Sequence, residues 1–343
     1  MIVVGIEGTA HTFAVGIIEF DEKSKKVKIL SDVRDMYKPL SGGIHPSVAA
    51  EHHRKIADAI LHEALDEAKI GIKECDYIAY SAGPGLPPCL KVTMEFAQKL
   101  AKENKKKLIM VNHPVAHLEV ARALTECKNP IIVYVSGGNT QIIGYSNGRY
   151  RVFGETLDIA VGNAIDTLMR QLAETNVAKQ RSFTFQPFPG GPIMEKLAEN
   201  GKYIELPYAV KGMDLSFAGL VTAASKKFKE GSKIEDVCFS FQETAYAMIT
   251  EVAERAMAHL GKEECVLTGG VAASKRLCEM LTIMCEERGA KFKPCPKEYT
   301  GDNGIMIAIT GAVQARAGDK GISPAKADFD SKWRADEVEV TWI

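Results

Sequence analysis

The chain has 343 residues, of which 46% are apolar and 25% charged, the make-up of an ordinary globular protein with room for about two domains. Its formal net charge of −1 excludes a surface built throughout to grip nucleic acid, so any such binding needs a local patch or a partner. No apolar run reaches the roughly 18 residues of a membrane helix, the first strand pattern starts at Ile2 and leaves no space for a signal or transit peptide, and the 8 cysteines, none in a C-x-x-C pair, read as buried thiols of a reducing cytosol.

In chain order, residues 2–5 and 13–18 are apolar runs around Ile6-Glu7-Gly8-Thr9-Ala10-His11. This predicts a hairpin whose turn at Glu7, Gly8 and Thr9 is either a plain edge turn or a phosphate turn. Residues 41–46 read as a loop, and Pro46-Ser47 as the start of a helix running to about Lys69. Its expected apolar stripe is Val48, His52, Ile56, Ala59, Ile60 and Ala64. Residues 77–81 read as a strand, followed by a Gly/Pro-rich loop, a helix over 90–102 and a lysine-rich end at 102–107, the last most simply a solvated helix end. A strand at 108–111 then delivers the chain to His113.

Asn112-His113-Pro114-Val115-Ala116-His117 is the most informative stretch. Pro114 suits the first turn of a helix, where its missing N–H leaves no bond unmade. His113 and His117 then project from one face, one turn apart, which is metal-ligand spacing. Residues 131–135 form an apolar strand that runs into Ser136-Gly137-Gly138-Asn139-Thr140, a turn able to aim backbone N–H groups at an anion. Strand, turn and strand over 131–145 repeat the layout of the first hairpin, which suggests a duplicated fold with a nucleotide cleft between its halves.

Further on, Asp158, Asn163 and Asp166 stand in a small, apolar stretch. Asp166 reads either as a helix cap or as an acceptor for a bound hydroxyl or amine. Residues 175–187 read as a loop or small lid, and helices are predicted over 193–200, 220–229 and 234–260. A strand at 265–267 leads through Thr268-Gly269-Gly270 into a helix over 275–288, a place for a ribose or phosphate. A last strand at 292–296 precedes a helix over 305–317. On its own, Asp302 reads as a turn or cap residue.

Taken as an ordered set, these motifs resemble the universal family that makes threonylcarbamoyladenosine in tRNA, in its archaeal and eukaryotic KEOPS branch. The resemblance rests on Gly5-Ile6-Glu7-Gly8-Thr9-Ala10, His45-Pro46, Gly83-Pro84-Gly85-Leu86, His113-x-x-x-His117, Tyr134 to Gln141, Gly154-Glu155-Thr156-Leu157-Asp158, Gly269-Gly270-Val271-Ala272 and Asp302-Asn303-Gly304. It implies an α/β fold of the actin/hexokinase/Hsp70-like (ASKHA) class, with two RNase H-like lobes around a nucleotide cleft. The lobes would be 1–125 and 126–343, the 305–343 end packing back on the first. It further implies one divalent metal, iron or zinc, on His113, His117 and Asp302, with Tyr134 as an additional ligand. Tyr134, Val135, Ser136, Gly137, Gly138, Asp166, Gly191, Glu195 and Ser274 would bind an adenine nucleotide or threonylcarbamoyl-AMP; no catalytic base is singled out.

The implied reaction moves a threonylcarbamoyl group from its adenylate to the exocyclic amine of the adenosine next to the anticodon. The implied partners are tRNA, a small atypical kinase and a small dimerising subunit, in the cytoplasm and without a membrane. Ser274 departs from the family's usual Asn, Ser47 from its Arg and Pro87 from its Gly, and the 175–187 loop is longer. Two other readings are a non-catalytic nucleotide-binding scaffold and a metallopeptidase. The second lacks the H-E-x-x-H glutamate, since Pro114, Val115 and Ala116 fill that gap.

Overall fold

The computed structural model describes residues 1–38, 44–174 and 189–343. The expected 175–187 loop lies outside the described residues. The chain divides into two compact units. The first comprises Met1–Glu126, Ser146–Tyr150 and Glu298–Ile343, and the second Cys127–Tyr145 and Arg151–Lys297.

In the first unit, strands β1 (Ile2–Glu7), β2 (Thr12–Phe20), β3 (Val27–Met36), β4 (Tyr77–Gly83) and β5 (Lys107–Asn112) form one sheet in the order β3-β2-β1-β4-β5. β1, β2 and β3 make an antiparallel meander, and β4 and β5 add in parallel. Helices α1 (Pro46–Ala68), α2 (Pro87–Asn104) and α3 (His113–Leu124) follow in the crossovers. β1 is buried almost throughout because both of its faces are covered.

The second unit repeats this topology. β6 (Ile131–Val135), β7 (Thr140–Ser146), β8 (Arg149–Glu155), β11 (Glu264–Thr268) and β12 (Lys291–Pro294) form a sheet in the order β12-β11-β6-β7-β8. Each strand matches its counterpart in the first sheet in order, so the duplication suggested by the two hairpins is a property of the whole topology. The core here gathers around α4 (Val161–Glu174), α5 (Gly190–Ala198), α6 (Ala218–Lys229), α7 (Ile234–Leu260) and α8 (Lys275–Glu287). A two-residue pair, β9 (Val210–Lys211) with β10 (Asp214–Leu215), precedes α6. Helix α9 (Gly304–Arg316) returns to the first unit and packs on β1 and β2.

Three local expectations shift. α1 buries Ala49, Ala50, His53, Ala57, Ile60, Leu61 and Ala64, a face rotated by about one residue from the expected stripe, and Val48 is left 45% exposed. The choice is tertiary: alanines admit the close approach of α2 and β3, whereas Val48 and Ile56 sit toward the rim. α2 begins at Pro87 rather than 90, because both of its prolines fit the first turn. β3 and β8 carry charged residues in mixed order and gave no clear strand pattern. All 8 cysteines are free, and all but Cys278 are buried. Among the described residues, no helix is long and apolar enough to cross a membrane.

Candidate metal centre and nucleotide turns

Helix α3 starts at His113, as its proline predicts. Asn112 caps it: its Oδ1 accepts from the Val115 N–H at 3.1 Å, and its amide donates to the Trp333 carbonyl at 3.0 Å. His113 and His117 therefore share a face, with ring centroids 4.7 Å apart and planes crossed at 84°. Asp302 meets them from the loop before α9. Its Oδ1 lies 3.2 Å from His117 Nε2 and 3.6 Å from His113 Nε2. One ligand atom from each of the three residues falls within 4.8 Å of the others.

Packing sets the position of Asp302. A Cβ at Gly5 would lie 2.2 Å from the Ala308 nitrogen, and one at Gly16 2.4 Å from the Gly304 carbonyl carbon. Bare glycines thus let α9 lie directly on β1 and β2. Arg34 holds the preceding loop by donating to the carbonyls of Glu298 at 2.8 Å and Asp302 at 3.3 Å. Asn303 caps α9 by accepting from the Met306 N–H at 2.8 Å.

Behind His113 stands Glu7, which is fully buried. Its Oε2 lies 3.0 Å from His113 Nδ1, and its Oε1 accepts from the Thr9 hydroxyl at 2.6 Å and the Thr9 N–H at 2.8 Å. A carboxylate on Nδ1 turns Nε2 toward Asp302 and fixes the tautomer, the usual outer arrangement of a metal-bound histidine. Burial disfavours the His113 imidazolium, but the Glu7 and Asp302 carboxylates outweigh it and push its pKa up to about 9. Burial works against the Asp302 carboxylate too, yet the His117 hydrogen bond and the His113 charge hold it well below the usual carboxylate range. Two inward Nε2 atoms, one carboxylate oxygen and an outer carboxylate form a donor set that fits a divalent transition metal.

Glu7, Gly8 and Thr9, the turn that could also have served a phosphate, are engaged within the protein. The Gly8 N–H donates to Ser81 Oγ at 3.1 Å and the Thr9 N–H to Glu7, so neither amide is open to an anion. A buried carboxylate between them would also repel one.

The remaining predicted residues all lie in the second unit. Tyr134 and Val135 end β6, with the Tyr134 hydroxyl 3.5 Å from Asn139 Nδ2. Ser136 Oγ accepts from the N–H groups of Asn139 at 2.9 Å and Gly138 at 3.3 Å, and the Ser136 carbonyl accepts from Gly162 at 3.2 Å. Gly137 and Gly138 are exposed, with open space where a Cβ would stand. Gly269, at φ +92°, passes so close to β6 that a Cβ would be 2.2 Å from the Val135 carbonyl oxygen. Asp166 Oδ1 accepts from the Gly190 N–H at 2.8 Å at the start of α5, beside Gly191. Glu195 Oε1 accepts from Lys275 at 2.9 Å, and Ser274 Oγ accepts from Leu277 at 3.4 Å, both at the start of α8. Asp166 and Glu195 thus accept from the first N–H groups of α5 and α8, and Ser274 is the N-cap of α8.

Sequence reading missed the role of Glu7, whose signal is a carboxylate ending an apolar strand. His53, which with its neighbour His52 read as a packed or surface residue rather than a catalytic one, is fully buried, has Nε2 3.0 Å from the Ala10 carbonyl, and is pushed down to about 4, chiefly by burial. A second omission is the buried Glu119 on α3, bound by Tyr150 at 2.6 Å and by Arg122 at 2.6 Å.

The family described as "TsaD: tRNA N6-adenosine threonylcarbamoyltransferase" matches residues 28–309. The chain belongs to this family. It is 51% identical over 344 residues to the tRNA N6-adenosine threonylcarbamoyltransferase of Thermococcus sibiricus, with 100% of both chains covered. The enzyme of the same name from Archaeoglobus fulgidus is 47% identical, again with 100% of both covered. A "probable bifunctional tRNA threonylcarbamoyladenosine biosynthesis protein" of Methanocorpusculum labreanum is 49% identical, and the match covers 99% of this chain but 60% of that protein.

Among solved structures, HypF of T. kodakarensis superposes with a TM-score of 0.58 at 16% identity, covering 92% of this chain and 47% of that one. The activator of the 2-hydroxyisocaproyl-CoA dehydratase of Clostridium difficile, solved with ADPNP, gives 0.50 at 10% identity, covering 93% and 97%. At such identities the likeness concerns the fold alone. The fold is of the expected ASKHA class, with two copies of the same mixed five-stranded sheet.

Proposed function

We propose that the chain transfers the threonylcarbamoyl group of threonylcarbamoyl-AMP to the exocyclic amine of the adenosine beside the anticodon, in tRNAs that read codons beginning with adenine. The observation that carries this reading is the convergence of Asp302 on His113 and His117 from 185 residues away, in a chain of this family. These three side chains would hold one divalent ion, iron or zinc, and the family resemblance implies Tyr134 as a further ligand. When bound, the ion supplies Lewis acidity toward the donor and fixes the donor's orientation.

The residues of the chain do the rest by holding and orienting. Glu7 keeps the His113 tautomer. Gly137 and Gly138 leave room for the donor phosphate beside Ser136, and Asp166, Gly191, Glu195 and Ser274 frame the nucleoside. The adenosine nitrogen attacks the carbamoyl carbon, the new C–N bond forms, the C–O bond to phosphate breaks, and AMP leaves with the electron pair while the amine loses one proton. Because that amine is a weak nucleophile, positioning supplies much of the rate. A small atypical kinase and a small dimerising subunit assemble with the chain in the cytoplasm. A peptidase is disfavoured because the nearest carboxylate, Glu7, is engaged by His113 and Thr9 and is not available as a base.

The test is nucleoside analysis by mass spectrometry after the purified chain and its partner subunits meet tRNA and threonylcarbamoyl-AMP. Product is expected with the wild type and lost, together with bound metal, in Asp302→Ala and His117→Ala. A wild type that binds nucleotide normally yet makes no modified adenosine would refute catalysis and leave the scaffold reading.

A further inference from the structure

The lysine-rich end of α2 takes no part in the site above. A groove of about 1130 Å³ opens there, between the last turns of α2 and residues 323–325. Lys99, Lys102, Lys105, Lys106 and Lys107 line it, against the carboxylates of Glu95 and Glu103. In a chain whose net charge is −1, five cations facing two anions is a local excess.

Part of that charge is already used. Lys99 lies 3.6 Å from Asp58, and Lys106 Nζ donates to the Lys73 carbonyl at 2.7 Å. Glu95 is itself 3.8 Å from Lys91. Lys102, Lys105 and Lys107 are exposed and make no ion pair among the described residues.

Compensation of helix dipoles is the plainer explanation of such lysines, and it accounts for only one of the three. The last turn of α2 contains Lys102 alone, and the last turn of α1 contains no basic residue. Lys105 stands beyond the helix at φ 54°, a left-handed position where glycine or asparagine is usual, and Lys107 opens β5. A small anion is a poor occupant, because the groove offers flexible ammonium groups and no arginine fork. A chain of phosphates suits it better, since several separate point charges act together and read no sequence.

We propose that this groove is a docking site for the sugar-phosphate backbone of the tRNA substrate. The proposal rests on the reading above that tRNA is the substrate. The α2 groove holds the body of the tRNA electrostatically and leaves the reacting nucleoside to the catalytic residues.

The experiment compares the full chain, wild type, with the triple variant Lys102→Gln/Lys105→Gln/Lys107→Gln. A second triple, Lys226→Gln/Lys227→Gln/Lys229→Gln on α6, removes the same formal charge elsewhere and serves as control. Filter binding of tRNA is measured across a salt series, with thermal midpoint and metal content recorded for each protein. Loss of three phosphate contacts lowers the slope of log K against log salt by about 2–3, since each contributes about 0.7–0.9. The expected result is that fall, about tenfold weaker binding at low salt, and a raised KM for tRNA at unchanged kcat, in the α2 triple alone.

Wild-type slope and affinity in the α2 triple, with the wild type forming product, overturn the groove and leave the catalytic reading standing. Equal losses in both triples overturn it as well, because they would reflect total charge. Loss of an accessory subunit with an unchanged tRNA slope assigns the groove to an acidic protein surface and overturns the proposal too. A wild type that neither binds tRNA nor modifies it removes this proposal and the reading beneath it together.

Discussion

Replacing Glu7 by glutamine tests the metal centre without touching a ligand. The carboxylate makes three contacts: Thr9 N–H at 2.8 Å and Thr9 hydroxyl at 2.6 Å on Oε1, and His113 Nδ1 at 3.0 Å on Oε2. In Glu7→Gln the side-chain oxygen must face the two Thr9 donors, which leaves the amide NH2 facing His113. The imidazole then accepts at Nδ1 and carries its proton on Nε2, the atom that faces Asp302. Metal binding must first reverse this tautomer or break the new hydrogen bond. Outer-shell changes of this kind weaken metal affinity by about 10–100-fold, which is roughly 1.4–2.7 kcal/mol.

The assay for Glu7→Gln is chelator competition on the purified protein. A second readout is the His113 pKa of the metal-free protein. Burial lowers it, and the Glu7 charge is the largest of the effects that bring it to about 9 instead. Without that charge it is expected to fall, which imidazole NMR reports directly. Metal affinity within twofold of wild type, in a variant with an unchanged thermal midpoint, would refute the tautomer argument.

Two further perturbations probe the surroundings. His53 is neutral in the fold, with a pKa pushed down to about 4 from an ordinary 6.5, so the unfolded chain binds the extra proton between those values. Stability is therefore lost as pH falls from about 6.5 to 4, by roughly 3 kcal/mol at 1.36 kcal/mol per decade, and not further below 4. Urea unfolding across that range should show a smaller acid loss in His53→Gln than in the wild type, and parallel curves would contradict the assignment. In Tyr150→Phe, Glu119 loses a buried donor at 2.6 Å, and the expected destabilisation is about 1–3 kcal/mol by denaturant unfolding. A change below about 0.5 kcal/mol would mean that water replaces the hydroxyl without strain.

Legibility followed distance along the chain. The start of α3, the spacing of His113 and His117 and the glycine turn after β6 depend on residues within one or two turns of each other, and the sequence showed them directly. The stripe of α1 was misread by one residue because apolar side chains occupy both candidate faces. Which face goes inward depends on how closely α2 and β3 approach. β3 and β8 were silent because an outer strand of a meander need bury only alternate positions, and charged residues interrupt even that alternation. Asp166 and Glu195 were visible as polar residues near glycines, yet their bonding to the starts of α5 and α8 joins segments 24 and 80 residues apart, whereas the Ser274 cap is local.

By itself, then, the sequence determined the periodic elements, the repeated strand-turn-strand unit and the face on which the two imidazoles stand, because helix and strand periods are local. From its neighbours alone Asp302 read as a turn or cap residue, and only the family resemblance joined it to the histidines; the tertiary structure shows how it meets them, and it alone decided that Glu7 stands behind His113, 106 residues apart in the chain. The physical reason lies in the bare backbones of Gly5 and Gly16, which let α9 settle on β1 and β2 and carry the carboxylate at its amino end to the histidines.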